Sequence, residues 1–328
     1  MLSNEQSVRE LIIHSTQNVV QQAQFVHIND EAVSQFAKAI PDSWNYKSAW
    51  DKTRHFYDGS ARTAQWVFIV DALNFSFWLD EGKERWQVEW KGELVKGYWA
   101  LACSLNLTMK KNIPLTDAAF LEQIEDNDLE TILDGTGVVP MFHERMKVLR
   151  EIGSILRTRY DGTIINLLEE AKHSVDAVVR LIVDSFPCFQ DTATYQSKTI
   201  YFFKRAQIFC SDLWGAFDGT DFGSFQDLEN LTAFADYKLP QTLRALNILQ
   251  YVPELAQRID SLQLIPPGSA EEIEIRAATI CAVESLHSHV LSRGLDLPVF
   301  AIDWWLWEIS HEPKHEVLPH HRTRTIFY

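Results

Sequence analysis

The stretch EEIEIRAATICAVESLHSHVLSRG, residues 271–294, sets the expected fold. It opens with acids, which favour the positive end of a helix dipole, and closes Ser-Arg-Gly, so Gly294 is expected to cap a long helix. Working outward, NEQSVRELIIHSTQNVVQQA (4–23) and NDEAVSQFAKAI (29–40) each start with Asn or Asp at an N-cap position and continue with helical spacing. TDAAFLEQIEDNDLETIL (116–133) carries early acids, and MFHERMKVLREIGSILRTRY (141–160) is amphipathic with late basic residues. One stretch breaks the helical rule. RWQVEWKGELVKGYW (85–99) alternates apolar and polar residues around Lys91-Gly92, the pattern of a β-hairpin, which predicts a small sheet near residues 66–100. With no repeat, low-complexity tract or linker in view, the expectation is a mainly α chain forming one helical domain over residues 1–328 with a small β element.

Composition narrows the function. Of 328 residues, 46% are apolar, enough for a large core, and 23% are charged, as in ordinary globular chains. The net charge of −15, from 30 Lys and Arg against 45 Asp and Glu, argues against gripping a nucleic-acid backbone. The four cysteines, Cys103, Cys188, Cys210 and Cys281, form no CxxC pair and suit a reducing compartment. MLSNEQSVRE carries no signal-peptide pattern, and the most apolar run, WVFIVDALNFSFW, is too short to span a bilayer. A cytoplasmic, soluble protein is expected, with no membrane and no stable nucleic-acid partner.

Several motifs could carry chemistry. In LTAFADYKLPQ (231–241), Asp236 stands between Phe234 and Tyr237 just before Pro240. It reads either as a helix cap or as a site, because a carboxylate leaves water only where partners await it. FFKRAQIFCSDLW (202–214) places Lys204 and Arg205 among aromatics. Their stems either snorkel along apolar surface or their heads hold an anion. VDALNFSFW (70–78) surrounds Asn74 with aromatic rings and reads either as core or, because Asp71, Asn74 and Ser76 need buried partners if the segment is buried, as a polar pocket wall with Asn74 toward the substrate. AIDWWLWEISHE (301–312) sets Asp303 and Glu308 among three tryptophans, about 140° apart around a helix. Rings that stack on a purine-like face, with acids accepting from its edge, are one reading, and an amphipathic core helix is the other. HEPKH (311–315) matches a zinc signature, but Pro313 between the histidines would break the helix that the motif requires. A polar loop is expected there, and no metal or cofactor.

Taken together, LNFSFW, GYWAL, FKRAQI, FADYKLPQ, EIEIR, DWWLWE and the tail HHRTRTIFY resemble the queuosine salvage protein family, in order and over nearly the whole chain. The resemblance implies a mainly helical fold akin to helical DNA glycosylases. It also implies cleavage of the N-glycosidic bond of queuosine 5'-monophosphate to queuine and ribose 5-phosphate. It assigns Asp236 as nucleophile or transition-state stabiliser, with Phe234, Asp303, Trp304, Glu308 and His55 as base contacts. Trp304 stands where the family pattern has Tyr, Glu308 where it has Asp, and TRHFYDG around His55 differs from the pattern. The physics agrees: a carboxylate fixed beneath the sugar carbon in a dry site stabilises positive charge that develops only in the transition state. Apolar surroundings disfavour the ionised form, so donors must hold Asp236 charged, and local backbone N–H groups are the expected ones. From local charge, the 5'-phosphate is expected on Lys204, with Arg205.

Three other functions fit the residues less fully. They are a tRNA-binding partner in the same pathway, a noncatalytic queuine- or nucleotide-binding protein, and a nucleosidase for another purine-like substrate.

Overall fold

The structure is a computed structural model and describes residues 6–42, 44–312 and 318–328. It is mainly helical, as expected. In chain order the N-terminal part runs α1 (Val8–Val20), β1 (Val26–Ile28), α2 (Asp30–Phe36), α3 (Ala61–Ala72), β2 (Gln87–Trp90), β3 (Glu93–Lys96) and α4 (Tyr98–Lys110). The middle adds α5 (Ala118–Glu122), α6 (Asp126–Ile132), α7 (Phe142–Arg159), α8 (Ile164–Ala171), α9 (Val175–Ser185), β4 (Thr192–Tyr195) and β5 (Lys198–Tyr201). The chain closes with α10 (Lys204–Ala216), α11 (Lys238–Ala245), β6 (Leu249–Tyr251), α12 (Pro253–Asp260), α13 (Ala270–Ser292) and α14 (Val299–Ile309).

The helix signals are local and mostly hold. Ser269 caps α13, accepting from the Glu272 N–H, and Gly294 follows its end at φ +82°, a left-handed position that costs glycine little. Asn29 caps α2 as expected, whereas α1 starts at a Ser7–Glu10 capping box and not at Asn4, which lies outside the described residues. Residues 116–133 are two helices, because Glu125 and Asp128 form a second capping box that restarts the chain at α6.

The hairpin is narrower than expected. β2 and β3 pair around Lys91 and Gly92, both at positive φ, as a two-residue hairpin turn requires. Residues 66–72, however, belong to α3, which Ser60 caps and which is buried from Thr63 to Ala72. An apolar run covered on every side is a core helix, and its β-branched residues do not make it a strand. Two further antiparallel pairs exist, β4 with β5 and β1 with β6.

α13 touches both buried clusters of the molecule. Ile273, Ala277 and Ile280 join the larger, with α3, α4, α7, α9 and α10, while Ile275, Ala278 and Leu286 join the smaller, with α2, α11 and α14. The functional region lies where α10, α13 and α14 meet the turn before α11. Among the described residues no helix is long and apolar enough to cross a membrane.

Candidate active site

Residues 231–237 form neither helix nor strand between α10 and α11, and three helices pin them. The Thr232 N–H donates to Gln207 Oε1 of α10 at 2.9 Å, and the Phe234 N–H to Asp303 Oδ2 of α14 at 2.7 Å. Arg276 of α13 donates through Nε to the Ala235 carbonyl at 3.1 Å. The next residue is Asp236. Its Oδ1 accepts from the Lys238 and Leu239 N–H groups at 2.7 and 2.9 Å, the first amides of α11. Pro240 falls in the first helical turn, where it forfeits no helical hydrogen bond. The cap and the site are therefore one arrangement: the helix terminus supplies the donors that hold this carboxylate, and both of them bond the same oxygen.

Lys204 begins α10. Phe203, in the left-handed region at φ +48°, turns the chain into the helix, and the Phe202 and Phe203 N–H groups donate to the Asp191 carbonyl. The Asp191 carboxylate accepts the Lys204 N–H at 3.2 Å and two hydrogen bonds from Arg276 at 2.8 and 2.7 Å. Arg276 thus ties the start of α10 to the residue before Asp236. The Lys204 side chain is 4% exposed, and its Nζ donates to the Asn74 carbonyl at 3.1 Å. Burial lowers its pKa, while the nearby carboxylates Asp236, Asp71 and Asp303 pull the other way.

These groups line a cavity of about 470 Å³. Asp303, 3% exposed, lies deep in its wall, and burial raises its pKa well above the usual carboxylate range. Glu308, one and a half turns on, is exposed and accepts from the Trp44 indole at 3.4 Å. Trp304, Trp307, Phe234, Tyr98, Trp99 and Trp50 give the walls their aromatic faces. Gly215 on α10 makes room for two of them: a Cβ there would come within 2.8 Å of Trp50 and 3.0 Å of Trp304. His55 stacks on Trp50 with ring centroids 4.2 Å apart, its Nδ1 2.9 Å from the Asp51 carbonyl and its Nε2 2.8 Å from the Tyr98 hydroxyl. Burial pushes its pKa down to about 4, so the ring is neutral at pH 7.

A family model described as "Queuosine salvage protein" matches residues 54–328. The chain belongs to the queuosine salvage protein family. A relative from Sphaerobacter thermophilus, named queuosine 5'-phosphate N-glycosylase/hydrolase, is 45% identical over 317 residues, covering 97% of each chain. Relatives of the same name from Nematostella vectensis and Mus musculus are 34% and 35% identical, covering 92% and 80% of this chain and 94% and 81% of their own.

In this queuosine salvage protein, the sequence-nominated residues His55, Asn74, Lys204, Phe234, Asp236, Asp303, Trp304 and Glu308 all face the one cavity. Asn74 brings its carbonyl to Lys204. Arg205 is the exception and corrects the expectation of an anion pair. It is 1% exposed, and its guanidinium donates to the Ala72 and Cys188 carbonyls and lies over the Phe75 and Phe189 rings. Successive helix residues point about 100° apart, so Lys204 faces the cavity while Arg205 braces the core behind it.

HEPKH falls partly outside the described residues. His311 closes α14 with its Nδ1 2.9 Å from the Trp307 carbonyl, and Pro313 and His315 are not described. Among the described residues, no group of three or more His, Cys, Asp or Glu is placed to hold a metal ion.

Sequence reasoning did not nominate Trp50, Arg54, Tyr98 or Asp212, all of which line the cavity, nor Arg276 beneath it. Arg276 stands in the quoted EIEIR and Tyr98 in GYWAL, so the resemblance covered them without a role. Asp212 had one available signal, a lone acid inside IFCSDLW. Arg54 stands in the quoted TRHFYDG, beside His55, and was likewise given no role.

Proposed function

We propose that this chain hydrolyses the N-glycosidic bond of queuosine 5'-monophosphate, releasing queuine and ribose 5-phosphate for reuse of the base in tRNA. The observation that carries the reading is Asp236, fixed by two backbone N–H groups at the wall of an aromatic cavity. Family membership and the names of the relatives support it.

Asp236 sits beneath the sugar carbon and stabilises the positive charge that builds there as the bond stretches. Its donors are rigid backbone groups, so it needs little reorganisation at the moment of reaction. Phe234 and Trp304 sandwich the flat base, and Asp303 accepts from its N–H edge. Glu308, in contact with solvent, receives the cationic amine or hydroxyls of the base's side chain. We place the 5'-phosphate on Arg54 and not on Lys204. Lys204 is already surrounded by carboxylates that would repel a dianion, whereas Arg54 lines the cavity with 32% of its side chain exposed, 4.8 Å over the Trp99 ring. No metal takes part in this scheme.

Mass spectrometry of queuosine 5'-monophosphate incubated with the wild type and with Asp236→Asn, both in EDTA, tests it. Queuine release by the wild type, falling by about 10³-fold or more in a folded Asp236→Asn, is the expected result. Release by both chains at equal rates removes Asp236 from the mechanism. Tight queuine binding without turnover by the wild type replaces the enzyme with a binding protein, and turnover of ordinary purine nucleotides instead assigns a different substrate.

A further inference from the structure

We propose that Arg145 of α7 is a positioning residue for the reaction: it builds the buried turn Leu73–Ser76, whose Asn74 carbonyl fixes the Lys204 ammonium in the cavity wall. This deepens the glycosidase reading above and rests on it.

The turn is set apart by what its carbonyls meet. α3 ends at Ala72, and the last carbonyls of a helix have no partner within it. Leu73 and Phe75 are fully buried and Ser76 is 2% exposed. Water does not reach such groups, and each carbonyl left unpaired would cost about 1–3 kcal/mol. Cationic side chains meet them instead. Arg205 donates to the Ala72 carbonyl, Arg145 to Leu73, and Lys204 to Asn74 at 3.1 Å. Arg145 donates again to Phe75 at 2.6 Å and to Ser76 at 3.2 Å. Five successive carbonyls are thus held by three buried cations from α7 and α10. Asn74 is the one of the five residues that lines the cavity.

Arg145 does most of this holding. It reaches the turn from another helix, is fully buried, and also donates through Nε to the Pro140 carbonyl at 2.9 Å. Its guanidinium lies 4.5 Å over the Phe75 ring and 5.1 Å over the Phe77 ring. Peptide units are planar, so pinning the Leu73 and Phe75 carbonyls fixes the planes on either side of the Asn74 carbonyl. Ser76 sits at φ +42°, a left-handed setting that other contacts must hold in a residue with a Cβ. Arg145 supplies that hold at the Phe75 and Ser76 carbonyls, and the Ser76 N–H donates to the Tyr328 carbonyl at 3.0 Å.

Lys204 is what the turn acts on. Asp191 and Arg276 set its backbone, but its ammonium stands at the end of a flexible four-carbon stem. The ammonium donates to the neutral Asn74 carbonyl although the carboxylates Asp236, Asp71 and Asp303 attract it. A fixed carbonyl therefore decides where the cation stands relative to Asp236, which the first amides of α11 fix independently. Freed from that carbonyl, the ammonium would move toward the carboxylates. A displacement of about 1 Å in a catalytic site costs on the order of 10²-fold in rate. Arg276 thus supports Lys204 from the backbone side and Arg145 from the tip.

Arg145→Lys tests the assignment, since it keeps the charge but not the planar fork that reaches several carbonyls at once. Its kcat for queuosine 5'-monophosphate should fall by about 10- to 10²-fold, with KM changed by less than about threefold. Amide hydrogen exchange at residues 73–77 should quicken by about tenfold or more. The same substitution is then made in a Lys204→Met background. There it should change the rate by less than about twofold, because a double-mutant cycle cancels an effect that passes through the residue removed. Arg150→Lys is the control on the same helix: its Nε donates to the Ile124 carbonyl at 2.8 Å, and kcat should stay within about twofold of the wild type. Should Arg145→Lys not fold, Ser76→Thr strains the same turn with a β-branched residue at its left-handed position and should show the same dependence on Lys204. Equal losses with and without Lys204, or a folded Arg145→Lys with unchanged exchange or unchanged kcat, would overturn the proposal. No queuine release by the wild type would instead bring down the glycosidase reading, and this inference with it.

Discussion

The deep wall of the cavity and its solvent-facing charges are built on opposite principles. Lys204, Asp212 and Asp303 are buried, and burial displaces their pKa values from the ordinary ones. Arg54 and Glu308 line the same cavity but keep contact with water, Arg54 pairing with Asp51 at 3.6 Å and lying over the Trp99 ring. Burial makes an ionisable group sensitive to its neighbours and costly to hold, which suits chemistry. Exposure leaves a charge free to meet a ligand's charge at modest gain, which suits recognition. The difference teaches which lysine or arginine to assign to which task, a decision that residue type alone did not allow.

The contrast can be broken from below. Arg276→Met removes the cation paired with Asp191, both side chains being 3% exposed, and frees the Ala235 carbonyl. We expect a loss of about 3–5 kcal/mol in unfolding free energy, read by urea denaturation, with activity lost along with the geometry of Lys204 and Asp236. A change below about 1 kcal/mol would mean that the deep wall does not depend on this clamp.

The next effect separates chemistry from recognition. Lys204→Met should lower kcat for queuosine 5'-monophosphate by about 10²-fold while leaving the preference for nucleotide over nucleoside unchanged. A selective loss of the nucleotide would restore Lys204 as the phosphate holder expected from the sequence. The smallest effect concerns Arg54. Arg54→Ala should raise KM for the nucleotide by roughly tenfold, about 1.4 kcal/mol, with kcat and nucleoside cleavage little altered, as steady-state kinetics on the two substrates would read. Equal effects on both substrates would move the phosphate elsewhere.

Much of the site was legible because its motifs are short and local. FADYKLPQ shows a carboxylate two residues before a helix start, and the helix amides do bind it. DWWLWE shows rings and acids on one helix, and both acids face the cavity, although only the structure shows that one is deep and the other exposed. The β4–β5 hairpin was missed because Gln196 and Ser197 occupy its left-handed turn positions, where Asn and Gly are the usual signal. β1 and β6 pair Val26 with Tyr251, a separation over which no local pattern carries information.

The sequence by itself determined the mainly helical character, the start of α2 and the end of α13, the acidic balance, the family and the motifs that carry Asp236, Lys204 and Asp303. These follow from caps, apolar spacing and side-chain chemistry acting within a few residues. Only the tertiary structure decided that Lys204 faces the cavity and Arg205 the core, that Arg276 joins Asp191 to Ala235, and that Asp71 is fully buried while Asp212 lines the cavity wall. The direction of a side chain and the depth at which it is buried depend on elements far away in the chain, and burial in turn sets which carboxyl group keeps its proton.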